Sequence, residues 1–393
     1  SRLTNSEYLE ESVSAYYLQG EATLLQNRLK VLTGVRFEKT VDQGQGLLSD
    51  PNAVFRRNAD GTFARNAAGN RIRKPEAGAA GSLTELALTA TERGYHARRT
   101  YDGYYPSLHL TYNLSENMLA RAAYARTYGR PNFTDIVPRT IINEGDLDET
   151  ELLDPSVVRG TLNLRNTGLK PWTAHNFDLS AEYYTNQGGI FSGGVFLKEI
   201  QDFFGDAVKV ATAADLDELG LPAQYVGWNV STKFNSGDAR VSGIEFNLRH
   251  SLREVGGWGR FFTIFANGTK LRLQGSAQAN FTSFITKSAN WGVSFTRKRL
   301  TVMAKWNYRG LDKRVQLPAL GPDGYEYIAP RTKLDLNVSY QITPRLSVVF
   351  SAINLLNRQH AFLRYGADTP AYARKYSAHE YGMPFSIGIK GTY

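Results

Sequence analysis

Along much of this chain, apolar and polar residues alternate one for one. Near the C-terminus Met383, Phe385, Ile387, Ile389 and Tyr393 share one parity, and Pro384, Ser386, Gly388, Lys390 and Thr392 share the other. A strand sends successive side chains to opposite faces, so such a stretch predicts a strand with one apolar and one polar face. Leu334, Leu336, Val338, Tyr340 and Ile342 alternate in the same way with Lys333, Asp335, Asn337, Ser339 and Gln341. Leu300, Val302, Ala304, Trp306 and Tyr308 alternate with Thr301, Lys305, Asn307 and Arg309. Further apolar rows begin at Leu29, Leu108, Phe177, Ile244 and Ala289. With the weaker alternations, and with residues 229–252 taken as one strand, the pattern predicts about 13 strands.

The connections between these stretches alternate between short and long. Gln26-Asn27, residues 115–117, 185–189, Gly256-Gly257, 297–299 and 343–345 are short turns. Residues 41–102, 131–172, the stretch after Phe204, 311–327 and 359–381 are long loops. The first loop carries hairpin tips at Asp60-Gly61 and Gly69-Asn70, and the third a helix predicted over Ala213–Leu219. Both ends of a soluble sandwich meet the same solvent, which gives no reason for this asymmetry. A transmembrane barrel has one, because short turns face the periplasm and long loops face outside. Tyr16, Tyr17, Tyr104, Tyr105, Tyr183, Tyr184, Trp306, Tyr308 and Tyr340 fall near strand ends, where an aromatic girdle would sit. The expected fold is therefore all-β, an antiparallel transmembrane β-barrel wall; the alternative is a large soluble all-β fold.

Composition narrows this further. The 393 residues are 42% apolar and 21% charged, with 22 Tyr and 20 Phe, which is a globular composition. No apolar run is long enough for a membrane-spanning helix, and a barrel needs none, since it spends only every second residue on lipid. Without Cys, disulfides, thiolate metal sites and cysteine nucleophiles are excluded. The chain opens on Ser1, which reads as a mature or truncated product. The net charge of +9 is spread among Tyr and Phe in alternating segments, with no basic block of the kind that binds nucleic acid.

Candidate chemistry is sparse. Glu144, Asp146, Asp148, Glu149, Glu151 and Asp154 cluster in one loop, but they lack the spacing and turn glycine of a calcium loop and read as solvated charge. The six His are scattered without a metal-binding pair, so no metal site is expected. No phosphate loop, hydrolase triad or zinc-protease motif is present; neither catalytic residues nor a cofactor is expected, and the chain does not read as an enzyme. The loop 359–381 is the exception. Arg358, His360, Arg364, Tyr365, Tyr372, Arg374 and Tyr376 combine aromatic faces with charged donors, which suits sugar rings or an anionic chelate. Arg71, Arg73 and Lys74, with Arg98 and Arg99, are candidates for lipopolysaccharide phosphates at a cell surface.

Several segments resemble TonB-dependent outer-membrane receptors of Gram-negative bacteria. The strand RTKLDLNVSYQIT, the turn at Pro344, LSVVFSAINLLNRQ and the last strand ending in Tyr393 are similar to that family's C-terminus. ARTYGRPNFTDIVP with Arg130 and Pro131, the stretch around Leu169-Lys170-Pro171, and GDARVSGIEFNL with Gly243-Ile244-Glu245 occur in the family's order. The resemblance implies a single sheet of about 22 strands with a plugged lumen. Residues 1–393 would be its C-terminal part, with the plug domain and TonB box absent and two open edges near Ser12 and Tyr393. It implies a receptor in the bacterial outer membrane that takes up a large scarce nutrient, a ferric siderophore or an oligosaccharide. Its partners would be outer-membrane lipid and lipopolysaccharide, the extracellular nutrient ligand, and the TonB complex acting through the missing plug region. Phe385, Ile387, Ile389 and Tyr393 would be the signal read by the barrel assembly machinery. A passive porin and a surface adhesin or lectin-like β protein are the alternatives.

Overall fold

The structure is a computed structural model that describes residues 6–137, 139–145, 147, 157, 159–166, 168–219, 221, 223–275, 281–317, 320 and 323–391. The strands are β1 (Tyr8–Leu24), β2 (Leu29–Ser49), β3 (Ala90–Ser115), β4 (Met118–Gly129), β5 (Thr140–Glu144), β6 (Gly160–Leu164) and β7 (Trp172–Tyr184). Then follow β8 (Ile190–Gln201), β9 (Phe204–Val210), β10 (Asn229–Asn235), β11 (Ala239–Ser251), β12 (Phe262–Gly275), β13 (Lys287–Arg297) and β14 (Leu300–Arg309). The last are β15 (Asp312–Gln316), β16 (Tyr325–Ile328), β17 (Arg331–Thr343), β18 (Leu346–Ala352), β19 (His360–Tyr365), β20 (Lys375–His379) and β21 (Phe385–Gly391). Among the described residues three short α-helices, α1 (Leu83–Thr89), α2 (Phe133–Ile136) and α3 (Ala213–Leu219), lie in the long connections. No helix among the described residues is long and apolar enough to cross a membrane.

One antiparallel wall runs β1-β2-β3-β4-β7-β8-β11-β12-β13-β14-β17-β18-β21. The register keeps the apolar rows in phase from strand to strand. Leu18 faces Val35, Val31 faces Leu110, and Leu110 faces Ala122. Ala122 faces Leu179, Leu179 faces Val195, and Val195 faces Ile244. At the far end Trp291 faces Trp306, Val302 faces Val338, Val338 faces Phe350, and Phe350 faces Ile387. A slip of one residue would turn a whole row to the wrong face, which is what pins the register. The wall does not close: among the described residues β1 pairs only with β2, and β21 only with β18.

The expected count of about 13 strands is corrected to the 21 described. The wall accounts for thirteen; seven of the other eight are short strands inside stretches read as loop, and the eighth, β10, splits off a stretch read as one strand. Segments such as β16, of 4 residues, are too brief to display a period, and their partners lie far away in sequence. The single strand expected over residues 229–252 is likewise two. Gly237 takes a left-handed φ of 105° between them, so β10 turns away from the wall while β11 stays in it. The helix α3 has the bounds that the sequence predicted. Thr212 and Asp215 cap it reciprocally, Oγ1 of Thr212 accepting from the Asp215 N–H at 3.2 Å and the Asp215 carboxylate accepting from the Thr212 N–H at 3.0 Å.

Most buried apolar side chains lie outside the wall, although Ala174, Ile200, Ala239 and Val241 cluster with Phe203 at the long-loop ends of β7, β8 and β11. In the apolar rows of the wall Ile244 is 56% and Ile387 79% exposed. Leu162, Leu169, Leu216, Val54 and Val230, all in the long connections, are under 2% exposed. β5 joins the end of β2 in parallel, β6 pairs with β5, and β10 bridges β6 and β9. Ile142, Leu162, Leu164, Leu216, Trp228 and Val230 pack between this small sheet and α3. A second sheet, β15-β16-β19-β20, is built from the last two long connections. The long loops are thus folded structures at one end of the wall, while the short-turn end has none.

Candidate functional site

The second loop sheet holds the candidate ligand residues, and it divides them. Along β19, His360, Phe362 and Arg364 alternate with Ala361, Leu363 and Tyr365, so Arg364 and Tyr365 point to opposite faces. On one face the Arg364 guanidinium donates to Glu326 Oε2 at 2.9 and 2.8 Å and lies 3.4 Å above the Tyr376 ring. On the other, Tyr365 stacks on Tyr327 at 4.2 Å and 14°, with the Arg374 guanidinium 4.8 Å from its ring. Burial and the adjacent Tyr365 push the Tyr327 hydroxyl up to about 12, so it stays a neutral phenol. Tyr372 stands out at 89% exposure. Arg358 is exposed at the base of the loop, where its N–H donates to Asn354 Oδ1 at 3.0 Å. These seven residues therefore line two faces and a rim.

Sequence reading missed a cationic group below this sheet. Arg309 and Arg331 are direct cross-strand partners on the polar parity of β14 and β17. Like charges so placed repel. Asp312, fully buried, answers part of this by accepting from Arg309 Nη2 at 2.9 Å, with Arg314 at 3.8 Å. His360 faces His379 across β19 and β20. Burial first, then the charges of Arg331, Lys333, His379 and Arg309, hold His360 below its usual value of 6.5. Arg309 Nε, Arg331 Nη1 and His360 Nε2 are buried without a hydrogen-bond partner. Burying a donor unpaired costs about 1–3 kcal/mol, so such groups mark where an acceptor would be stabilised. The available signal was a count of basic residues on the polar parity at the long-loop ends of β14 and β17.

A further charged knot ties β1, β2 and β4 together near Arg130. Glu38, 4% exposed, accepts from Arg36 Nε at 2.9 Å, from Arg130 and from the Tyr128 hydroxyl. Arg130 also reaches Glu11 at 2.9 Å. Several stretches singled out from sequence are occupied in holding loops. Arg71 donates to Asn52 Oδ1 at 3.0 Å and lies 4.1 Å from the Phe63 ring, and Arg73 pairs with Glu85 at 2.9 Å. Glu144 pairs with Arg57. Asp146, Asp148, Glu149, Glu151 and Asp154 lie outside the described residues. Phe385, Ile387 and Ile389 are exposed on the apolar face of β21, and Tyr393 lies outside the described residues.

A wall apolar on one face, polar on the other, with folded loops at one end only, is the form of a barrel-type membrane protein. The family model for the TonB dependent receptor-like β-barrel matches residues 2–355, and the chain belongs to that family. Among solved structures, the unliganded ferric citrate transporter FecA is similar over 98% of this chain and 45% of its own, with a TM-score of 0.58 and 14% identity. The ferric-catecholate import receptor Fiu from K12 E. coli gives 0.61 and 12%, covering 98% and 45%. The ferric yersiniabactin uptake receptor FyuA from Yersinia pestis gives 0.54 and 15%, covering 98% and 45%. At these identities the likeness is one of fold. The chain spans about half the length of the solved structures that it matches. No curated protein matches it.

Proposed function

We propose that this chain is the barrel portion of a TonB-dependent transporter of the bacterial outer membrane, and that its cargo is an anionic metal chelate of the ferric siderophore class. The plug and its TonB contact would lie outside residues 1–393, with the TonB complex supplying the energy. The observation that carries the cargo class is the group of Arg309, Arg331, Lys333 and His360 beneath the aromatic sheet, with three buried nitrogens lacking partners. A metal chelate that keeps net negative charge would supply those acceptors, and the Tyr327–Tyr365 face would take its planar groups. The structural neighbours that transport ferric citrate and take up ferric yersiniabactin support this reading. An oligosaccharide is the second reading, favoured by the same tyrosine stack and by the exposed Tyr372.

The test is a titration of the full-length protein, in outer-membrane vesicles, with ferric citrate, ferric yersiniabactin and a panel of oligosaccharides. For a chelate, Arg331→Ala is expected to weaken binding about 10- to 100-fold, the worth of one charged hydrogen bond. Chelate binding should also strengthen as pH falls below the ordinary histidine value of 6.5, because His360, held below that value by burial and the neighbouring cations, gains its positive charge only there. His360→Gln should remove that increment. Binding of a glycan alone, lost in Tyr365→Ala, would move the assignment to the sugar. Entry of small solutes without a proton gradient, and no binding of any ligand, would make the protein a passive pore.

A further inference from the structure

Just beyond the apolar band, on the same face and toward the long loops, the wall carries charged cross-strand pairs. On β2 and β3 the pair is Lys39 and Asp102. On β8 and β11 it is Glu199 and Arg240, an ion pair at 2.8 Å. Both are balanced, as direct neighbours on one face of a sheet should be. On β12 and β13 the corresponding pair is Lys270 and Lys287, two cations placed directly opposite each other. Each continues an apolar row by one step. Lys270 follows Ile264, Ala266 and Gly268, while Lys287 precedes Ala289, Trp291 and Val293. Ala289 in turn faces Tyr308, a residue of the expected aromatic girdle. Arg272 is the next position of the same parity on β12, and Lys270, Arg272 and Lys287 are all exposed. Among the described residues none of these three side chains has a hydrogen bond or an ion pair.

Two like charges held at a cross-strand distance repel, so the pair carries a local cost. Their height decides what offsets it. In a membrane-spanning wall the position one step beyond the girdle lies among lipid headgroups, and a cation there is attracted by headgroup anions. A chelate at the mouth cannot reach it, because the wall separates the two faces. From this placement we infer that Lys270, Arg272 and Lys287 form a docking surface for a phosphorylated lipid of the outer leaflet, with one phosphate between the two lysines. The acyl chains would lie on the Ile264, Ala289 and Val293 rows below. This places the lipid on β12–β13, away from Arg71 and Arg73, which hold loops together. The inference rests on the wall being membrane-spanning and is independent of which nutrient is carried.

The test uses the full chain in non-ionic detergent, titrated with a diphosphoryl disaccharide lipid in mixed micelles and with the same lipid stripped of phosphate. Binding is read by native mass spectrometry, and folding by the heat-modifiable band on a gel. The phosphorylated lipid is expected to bind, the stripped lipid to bind about tenfold less, and Lys270→Gln/Lys287→Gln to show a similar loss while staying folded. Lys39→Gln, whose partner is an acid, should bind like the parent. Lys270→Glu is the most diagnostic variant. It converts the pair to the Lys39–Asp102 kind, so the lipid-free protein should melt higher while lipid binding falls. Equal binding of the stripped lipid, an equal loss in Lys39→Gln, a Lys270→Glu protein that keeps its lipid, or full competition by inorganic phosphate at matching concentration would each overturn the inference. Chelate titration of the same variants should be unchanged, which separates failure here from failure of the transport reading.

Discussion

Leu336→Arg is expected to lower the stability of the folded wall by about 2–4 kcal/mol, while Asn337→Arg is expected to cost far less. The two positions are adjacent in sequence and opposite in environment. Leu336 sits on the apolar face between Ala304 and Ala352, and Asn337 sits on the polar face between Met303 and Ser351. An arginine at 336 must place its guanidinium in hydrocarbon or bend it toward the interface past Leu334 or Val338. At 337 it faces the polar side, where water and Asp335 are within reach of the side chain. Urea titration of both variants refolded into bilayers, followed by the heat-modifiable band, measures the difference. Equal costs at the two positions would mean that the apolar face is not turned to lipid.

Trp228→Ala should open the first loop sheet and leave the wall intact. Trp228 is 5% exposed, packs edge-on against Tyr225 at 5.0 Å and joins Leu162, Leu216 and Val230 in the loop core. Gly160 passes directly beneath its ring, so close that a Cβ there would lie 2.4 Å from Trp228 Cζ3. Removing a buried tryptophan typically costs about 3–5 kcal/mol, partly as lost transfer energy and partly as a cavity. That cost falls on β5, β6, β10 and α3, whose core among the described residues takes only Leu48 of β2 from the wall. Hydrogen exchange should therefore accelerate in these elements, with β11 to β14 unchanged. Uniform acceleration through both would show that loop sheet and wall unfold as one unit; no acceleration anywhere would show that Trp228 does not hold the loops.

The wall is legible in the sequence because its rule is local. Each residue from Leu334 to Ile342 declares its face by parity alone, and the partner rows on β14 and β18 obey the same rule, so register follows from chemistry. Short turns at Gln26-Asn27 and at Pro344 are legible for a related reason, since a tight turn must fall where alternation stops. The loop strands are not. β5 and β6 are five residues each, and they become strands because β2 and β10 offer edges whose residues lie about 90 and 70 positions away. The candidate site divides along the same line. Aromatic and basic residues in 359–381 are visible as composition, but their partition between two faces of β19 depends on a strand that only its neighbours create.

The sequence by itself determined the all-β class, the two faces of the wall, the end that carries the loops and the resemblance to TonB-dependent receptors, because period and parity act over a few residues. Tertiary structure alone decided which charges meet. Arg309 faces Arg331, His360 faces His379, and Lys270 faces Lys287, each pair brought together by strand register. Electrostatic energy depends on distance in space, and parity along the chain carries no information about it until the partners are in place.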